Sequence, residues 1–256
     1  MEATTPIHVP FSDEDGAVLR LRLGACRLHL RPGDRDPWIE GSYRDPTGEE
    51  PLQVDVAGPA VTLRQQHTVA GTVGLVHGTP VCDLALGTSR PYKIVLDTGA
   101  SDVSIDLSGL PVTGIDLRAG AGRIDLKVDA ANPVDADLIS FRLGAGSLTA
   151  RGLGNLAAAS LRVEGGAAAL DLDLSGVLRR PMEGRIATGM AGVTVTVPRD
   201  RPARLTSDAR LGGVDLGDGF LTRDGAVTTM ADGEPLISVH TVVALGTLRL
   251  RTVAAD

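Results

Sequence analysis

The chain has 256 residues, 43% of them hydrophobic, and a mean hydropathy of +0.10, which is typical of a globular protein. A net charge of −7 and only six aromatic residues argue against a nucleic-acid partner, because such proteins carry basic patches and stacking aromatics. No apolar run is long enough to predict a transmembrane segment, and the N-terminus lacks the basic and apolar parts of a signal peptide. We therefore expect a cytoplasmic protein.

The first 92 residues are irregular in pattern. They contain one copy, near Gly24, of a phrase that recurs later in the chain. Alternating hydrophobicity predicts strands at Leu52–Val56 and Ala60–Leu63. We interpret residues 1–92 as an N-terminal β capping subdomain, joined through the glycine-rich segment 70–78, because the terminal unit of a repeat protein departs from the repeat.

Residues 93–256 are dominated by a repeat of about 22 residues. Each copy consists of an apolar segment, a corner of glycine and small residues, and an alternating apolar–polar segment. The steps between corner glycines are 21, 24, 22 and 23 residues. These glycines are Gly99, Gly120, Gly144, Gly166 and Gly189.

Aligning the copies on the corner glycine produces columns of one chemical type. Four residues after the glycine the column is apolar: Val103, Ile124, Leu148, Leu170 and Val193. Five residues after it the column is polar: Ser104, Asp125, Thr149, Asp171 and Thr194. This period of two predicts strands with one face inward and one face outward, two short strands per copy joined at the corner. We expect some corner glycines to adopt positive φ.

The columns predict an all-β fold. We interpret it as a β-solenoid, in which coils of about 22 residues stack with Gly-small corners, preceded by the irregular β N-terminal cap. The alternative is a row of stacked antiparallel hairpins, with the corner as the hairpin turn. In the solenoid, the last coil, residues 239–251, would leave an open pairing edge for self-association.

The corner phrase, the Leu107–Pro111 turn and the Pro198–Asp200 exit resemble the bacterial toast-rack domain. Leu23–Ala25 and Ile39–Tyr43 resemble the N-terminal module that precedes that domain. The domain also occurs as the C-terminal part of membrane proteins in the Lia-type cell-wall stress response. The resemblance implies a link to envelope stress and transfers no catalytic residue, because the family has no established ones.

One motif suggests catalysis. Ile94–Ser101 matches the active-site phrase of retropepsin-like aspartic proteases, in which two Asp-Thr-Gly loops share a proton. A homodimer using Asp97 is therefore the alternative function. The repeat argues against it, because later copies place Arg118 and Arg142 in the column of Asp97. We expect Asp97 to lie on the outer face, paired with Arg118 of the next coil.

The other motifs fit structural roles better than chemical ones. Gly152–Ala157 matches a dinucleotide fingerprint but returns to a strand too soon for the helix that this motif needs. The acidic phrases at Asp171–Asp173 and Asp215–Gly219 lack the nine-residue period of calcium-binding β-rolls. Cys26 and Cys82 show no metal or redox spacing. The histidines are also too scattered for a zinc site: His8, His29, His67, His77 and His240.

The sequence therefore predicts no catalytic, cofactor-binding or metal-binding residues and no cofactor. The expected function is that of a non-enzymatic bacterial scaffold or sensory protein-interaction module, linked to envelope-stress signalling. Its expected partner is another protein or a second copy of the chain, because repeat proteins use their elongated faces for binding.

Overall fold

Alternating apolar residues form strands along almost the whole chain. The computed structural model describes residues 3–48, 50–66, 78–223 and 225–254, whose strands form one open sixteen-stranded sheet. The all-β prediction is confirmed. The strands are β1 (Ala3–Val9), β2 (Ala17–Leu23), β3 (Arg27–Pro32), β4 (Ile39–Asp45), β5 (Leu52–Ala57), β6 (Ala60–Gln65), β7 (Val81–Leu86), β8 (Tyr92–Asp106), β9 (Val112–Lys127), β10 (Leu138–Arg151), β11 (Ser160–Asp173), β12 (Met182–Pro198), β13 (Ala203–Leu216), β14 (Phe220–Arg223), β15 (Ala226–Thr229) and β16 (Ile237–Val253).

Each repeat from β8 to β12 is one continuous strand that passes through the glycine corner, where the sequence predicted two short strands. We call the residues before the corner the first arm and those after it the second arm. Neighbouring repeats pair in parallel, with Leu96 opposite Leu117 and Phe141 opposite Val163. Parallel pairing in this register agrees with coil-on-coil stacking, and the hairpin alternative is wrong for these strands.

The core lies between the two arms and is built from the apolar columns. Leu117, Phe141 and Ile186 of the first arm and Val195 of the second are fully buried. The polar columns lie on the outer face, as predicted, with Asp125 half-buried. Apolar surface contributes about 25 cal/mol to stability for each Å² that is removed from water. A slip of one residue in the strand pairing would turn every apolar column toward solvent, so burial favours the observed register.

Positive φ occurs two residues after the corner column. Gly122 has φ +123° and Gly146 has φ +115°, whereas the five aligned corner glycines are outside the left-handed region. A Cβ on Gly146 would lie 2.0 Å from the carbonyl oxygen of Gly122 on the neighbouring coil. In these two copies, the close approach of neighbouring backbones and the positive φ both favour glycine.

The N-terminal end of the stack consists of interrupted coils. β2 and β3 lie on either side of Gly24 and pair in parallel with the two arms of β8. β6 and β7 form a second interrupted coil, pairing with β2 and β3. Antiparallel strands then cover both arms, β5 on β6 and β4 on β7. Both predicted strands, β5 and β6, are present, while residues 70–77 of the predicted connection lie outside the described residues.

The C-terminal end has a different strand order from the one predicted. β16 lies between β12 and β13 and pairs in parallel with both. The prediction that residues 239–251 form an open edge is therefore wrong, and β13 is the last coil of the stack. The column residues Val239, Val243 and Leu250 of β16 are buried, in agreement with its position between two strands.

Candidate interaction surfaces

Asp97 lies on the outer face of the first arm, as its column predicts. Its carboxylate is 3.7 Å from the guanidinium of Arg118, and the charge ladder continues to Asp116, Arg142 and Glu164 on the following coils. Cross-strand ion pairs at this exposure contribute roughly 0.2–1 kcal/mol each. Asp97 therefore belongs to a charge ladder between coils, in which Asp116 contacts the same guanidinium, that of Arg118.

The remaining polar groups of the protease-like phrase are occupied by structural hydrogen bonds. The hydroxyls of Thr98 and Ser101 contact each other, and both lie within hydrogen-bond distance of the carbonyl oxygen of Gly24, at 3.3 Å and 2.9 Å. Their two protons supply two of these three hydrogen bonds. The backbone N–H of Cys26 donates to the Ser101 hydroxyl. These bonds hold the interrupted coil of β2 and β3 against β8, because buried polar groups must be paired.

The dinucleotide-like phrase folds as a turn between coils. Leu153–Leu156 form a four-residue 3-10 turn, and β11 begins at Ser160, so no helix follows the glycines. The Asn155 side chain donates to the Val128 carbonyl and accepts from the Val177 N–H. Asn155 therefore connects three successive turns.

Asp173, Asp215 and His29 form ion pairs or cap a turn. Asp173 accepts from the Ser175 N–H, and Asp215 is 2.7 Å from Arg251, whose hydrogen bond lowers the Asp215 pKa. His29 contacts Asp83 at 3.0 Å. Within the described residues no group of three His, Cys, Asp or Glu side chains could hold a metal ion. His67 and His77 lie outside the described residues.

Both cysteines are free and buried in the N-terminal part of the core. Burial raises the pKa of the Cys26 thiol to about 12, despite the hydrogen bond to Ser101. Burial also raises the pKa of the Cys82 thiol well above its usual value. Because the thiolate is the reactive form, neither cysteine is placed to act as a nucleophile at neutral pH.

A shallow trough of about 670 Å³ follows the corner column across the stack. Its floor is the bare backbone of Gly120, Gly144 and Gly166, and one wall is the ladder of Arg118 and Arg142. The charges of this wall pair with the acidic residues of the same ladder. The trough is therefore a concave surface whose charged side chains are already in ion pairs.

The second arm of the last coil is open. Val214 and Leu216 continue the inward columns of the core but are 41% and 43% exposed. The aligned residues one coil inside, Leu248 and Leu250, are 2% and 1% exposed. The hairpin of β14 and β15 pairs with β13 only at Arg204 and Leu205, on the first arm. The apolar columns of the second arm therefore end in exposed side chains on β13.

Within the described residues, one side of the β13 backbone pairs with β16, and the other side has no partner strand along the second arm. The N–H of Gly217 donates to Leu250 of β16, at 2.9 Å. Because the N–H groups of a strand point to alternate sides, those of Val214 and Leu216 point away from the sheet. Exposed apolar side chains next to unpaired N–H and C=O groups allow a strand of another chain to pair with this edge.

The open sheet, with its central strands paired in parallel, defines the chain as an all-β protein. The family described as the N-terminal domain of toast_rack, DUF2154, matches residues 2–151. The match covers more than half of the sequence, and the chain belongs to this family, the N-terminal module that Leu23–Ala25 and Ile39–Tyr43 predict. The match crosses the predicted boundary at residue 92.

A solved structure shares the fold at low sequence identity. A candidate cell adhesion protein from Clostridium sporogenes ATCC 15579 is 14% identical, with a TM-score of 0.52 over 99% of this chain and 100% of that chain. A candidate adhesin from Bacteroides fragilis NCTC 9343 is 10% identical, with a TM-score of 0.41 over 98% and 97%. No curated protein matches the sequence. Within the described residues, no helix is long and apolar enough to cross a membrane.

Proposed function

We propose that the chain is a non-enzymatic β-solenoid module that binds another polypeptide through the open second arm of β13. The observation that carries the proposal is the exposure of Val214 and Leu216 at positions that are core in every inner coil. A partner strand with apolar residues in the same columns would bury these side chains and pair with the free N–H groups. The candidate adhesion role of the Clostridium sporogenes structure supports a binding function.

The two ends of the stack differ in a way that supports this assignment. At the N-terminal end, β5 and β4 cover both arms in antiparallel orientation, which breaks the template for a further parallel coil. At the C-terminal end, only the first arm is covered, by β15. We therefore treat residues 1–92 as a capping subdomain of a repeat domain at 93–256, and the second arm of β13 as the binding edge.

The resemblance to Lia-type proteins supports a role in envelope-stress signalling, in which the partner would be a component of that response. The cytoplasmic location stays a prediction. The retropepsin-like alternative receives no support, because Asp97 is bonded into an outward charge ladder.

Site-specific photo-crosslinking tests the proposed binding edge. A photoreactive amino acid replaces Val214 in the full chain expressed in its host, and the matched control places it at Val177, which is 55% exposed on a turn. We expect a discrete adduct from position 214 alone, whose mass identifies a second copy or another protein. The adduct should disappear with Leu216→Pro, which removes one outward N–H. Equal adducts from both positions, or an adduct that survives the proline, would contradict the proposal.

A further inference from the structure

Four cations cluster on the outer face of the first arm near the N-terminal end. Arg20 and Arg22 belong to β2, Arg64 to β6 and Lys93 to β8, on three neighbouring strands. Within the part of the chain that the structure describes, none of the four makes a hydrogen bond or an ion pair. Nine arginines elsewhere in the described residues do form ion pairs with acidic side chains.

Two of these cations face each other directly. Arg22 and Arg64 are register partners in the parallel pair of β2 and β6, and both side chains are exposed. Register partners on adjacent strands are about 4.8 Å apart at the backbone. Like charges in this position destabilise the sheet unless an anion lies between them.

The pair lines a cavity of about 750 Å³, a volume within the range of small-molecule sites. Gly24, Gln65, Asp97 and Thr98 also line it. Their polar groups are already used. The Gln65 side-chain oxygen accepts from the Gly24 N–H at 2.8 Å, its amide donates to Glu50, and Asp97 is paired with Arg118. Gln66 also lines the cavity and donates to Gln53. Asp97 is the register partner of Arg22 on β8, on the side away from Arg64. The two guanidinium groups are the cations that line the cavity, and neither makes an ion pair within the described residues.

We propose that this cavity binds a phosphate group between Arg22 and Arg64. A guanidinium presents two N–H donors in a plane that matches two oxygens of a tetrahedral anion, and two such forks match a dianion. A phosphate monoester carries about −1.5 to −2 charges at neutral pH, which offsets the repulsion within the pair. The phosphate can belong to a soluble molecule or to a lipid headgroup.

The test compares two arginine pairs. Arg22→Gln with Arg64→Gln removes the proposed site. Arg162→Gln with Arg185→Gln is the matched control, because these are also exposed register partners without ion pairs, on the same arm. Inorganic phosphate is titrated calorimetrically into each protein at constant ionic strength, with chloride as the balancing anion. We expect one saturable equivalent, weakened at least tenfold by the first pair of substitutions and unchanged by the second.

Non-saturable binding, or equal weakening by both pairs, would overturn the proposal and indicate general surface charge. Sedimentation with phosphatidylglycerol vesicles, and with phosphatidylcholine vesicles as the neutral control, then identifies the source of the phosphate. Phosphatidylglycerol binding that free phosphate displaces indicates a headgroup, whereas calorimetric binding without sedimentation indicates a soluble ligand. The site is remote from β13, so its failure would leave the proposed strand-binding edge unaffected.

Discussion

Replacing Gly146 with alanine should destabilise the fold far more than the same change at Gly192. At Gly146 the backbone has φ +115°, a region in which an L-residue is strained by about 1–3 kcal/mol. The new Cβ would also lie 2.0 Å from the carbonyl oxygen of Gly122, which sits in the neighbouring coil and cannot rotate away. We expect a total loss of roughly 3–5 kcal/mol in the free energy of unfolding.

Gly192 is the matched control because a Cβ there meets nothing within 4 Å and its φ is not positive. Alanine at this site should leave stability unchanged or raise it by about 0.4–1 kcal/mol, through the lower entropy of the unfolded chain. Urea denaturation followed by the fluorescence of Trp38, the single tryptophan, measures both variants. Equal losses at the two positions, or no loss at Gly146, would refute the close stacking of the coils.

Ile124→Ala should cost roughly 2–5 kcal/mol, because Ile124 is 1% exposed, whereas its outward neighbour Asp125→Ser should cost under about 0.5 kcal/mol. Similar losses in urea denaturation would mean that the inward and outward columns are misassigned. Burial alone would raise the pKa of Asp45, but hydrogen bonds from Glu50 and Thr47 lower it overall. Its stabilisation is therefore complete above the pKa of the unfolded carboxyl, near 4, and is lost as pH falls through the lower folded value. Asp45→Asn should reduce the difference between urea midpoints at pH 7 and pH 3, and an unchanged difference would contradict this. Cys82 should react with a thiol reagent only on unfolding, so rapid labelling of the native protein would contradict its burial.

The columns of the repeat predict the inner part of the fold because each position has the same neighbours on every coil. Ile124 is apolar for the same reason as Val103 and Leu148, which pack beside it in register. The outward position of Asp97 follows from the same alternation. Local pattern and tertiary packing agree here, so the sequence alone is sufficient.

The order of the last coils could not be predicted from these columns. β13 and β16 both carry the corner phrase, and either would pair with β12. The choice depends on the path of residues 217–236 and on which strand buries more surface, and neither is encoded in a local pattern. The pairing of Arg22 with Arg64 was missed for a similar reason, because 41 intervening residues separate them and β6 lacks the corner phrase.

Amide hydrogen exchange at the C-terminal edge tests the central claim most directly. In the inner coil, the N–H groups of Val193 and Val195 lie between two paired strands and should be strongly protected. The N–H groups of Val214 and Leu216 occupy the same columns but point away from β16, so they should exchange at rates close to those of an unstructured chain. Protection of Val214 and Leu216 equal to that of Val193 and Val195 in the isolated monomer would show that this edge is covered, and would contradict the binding role proposed for it.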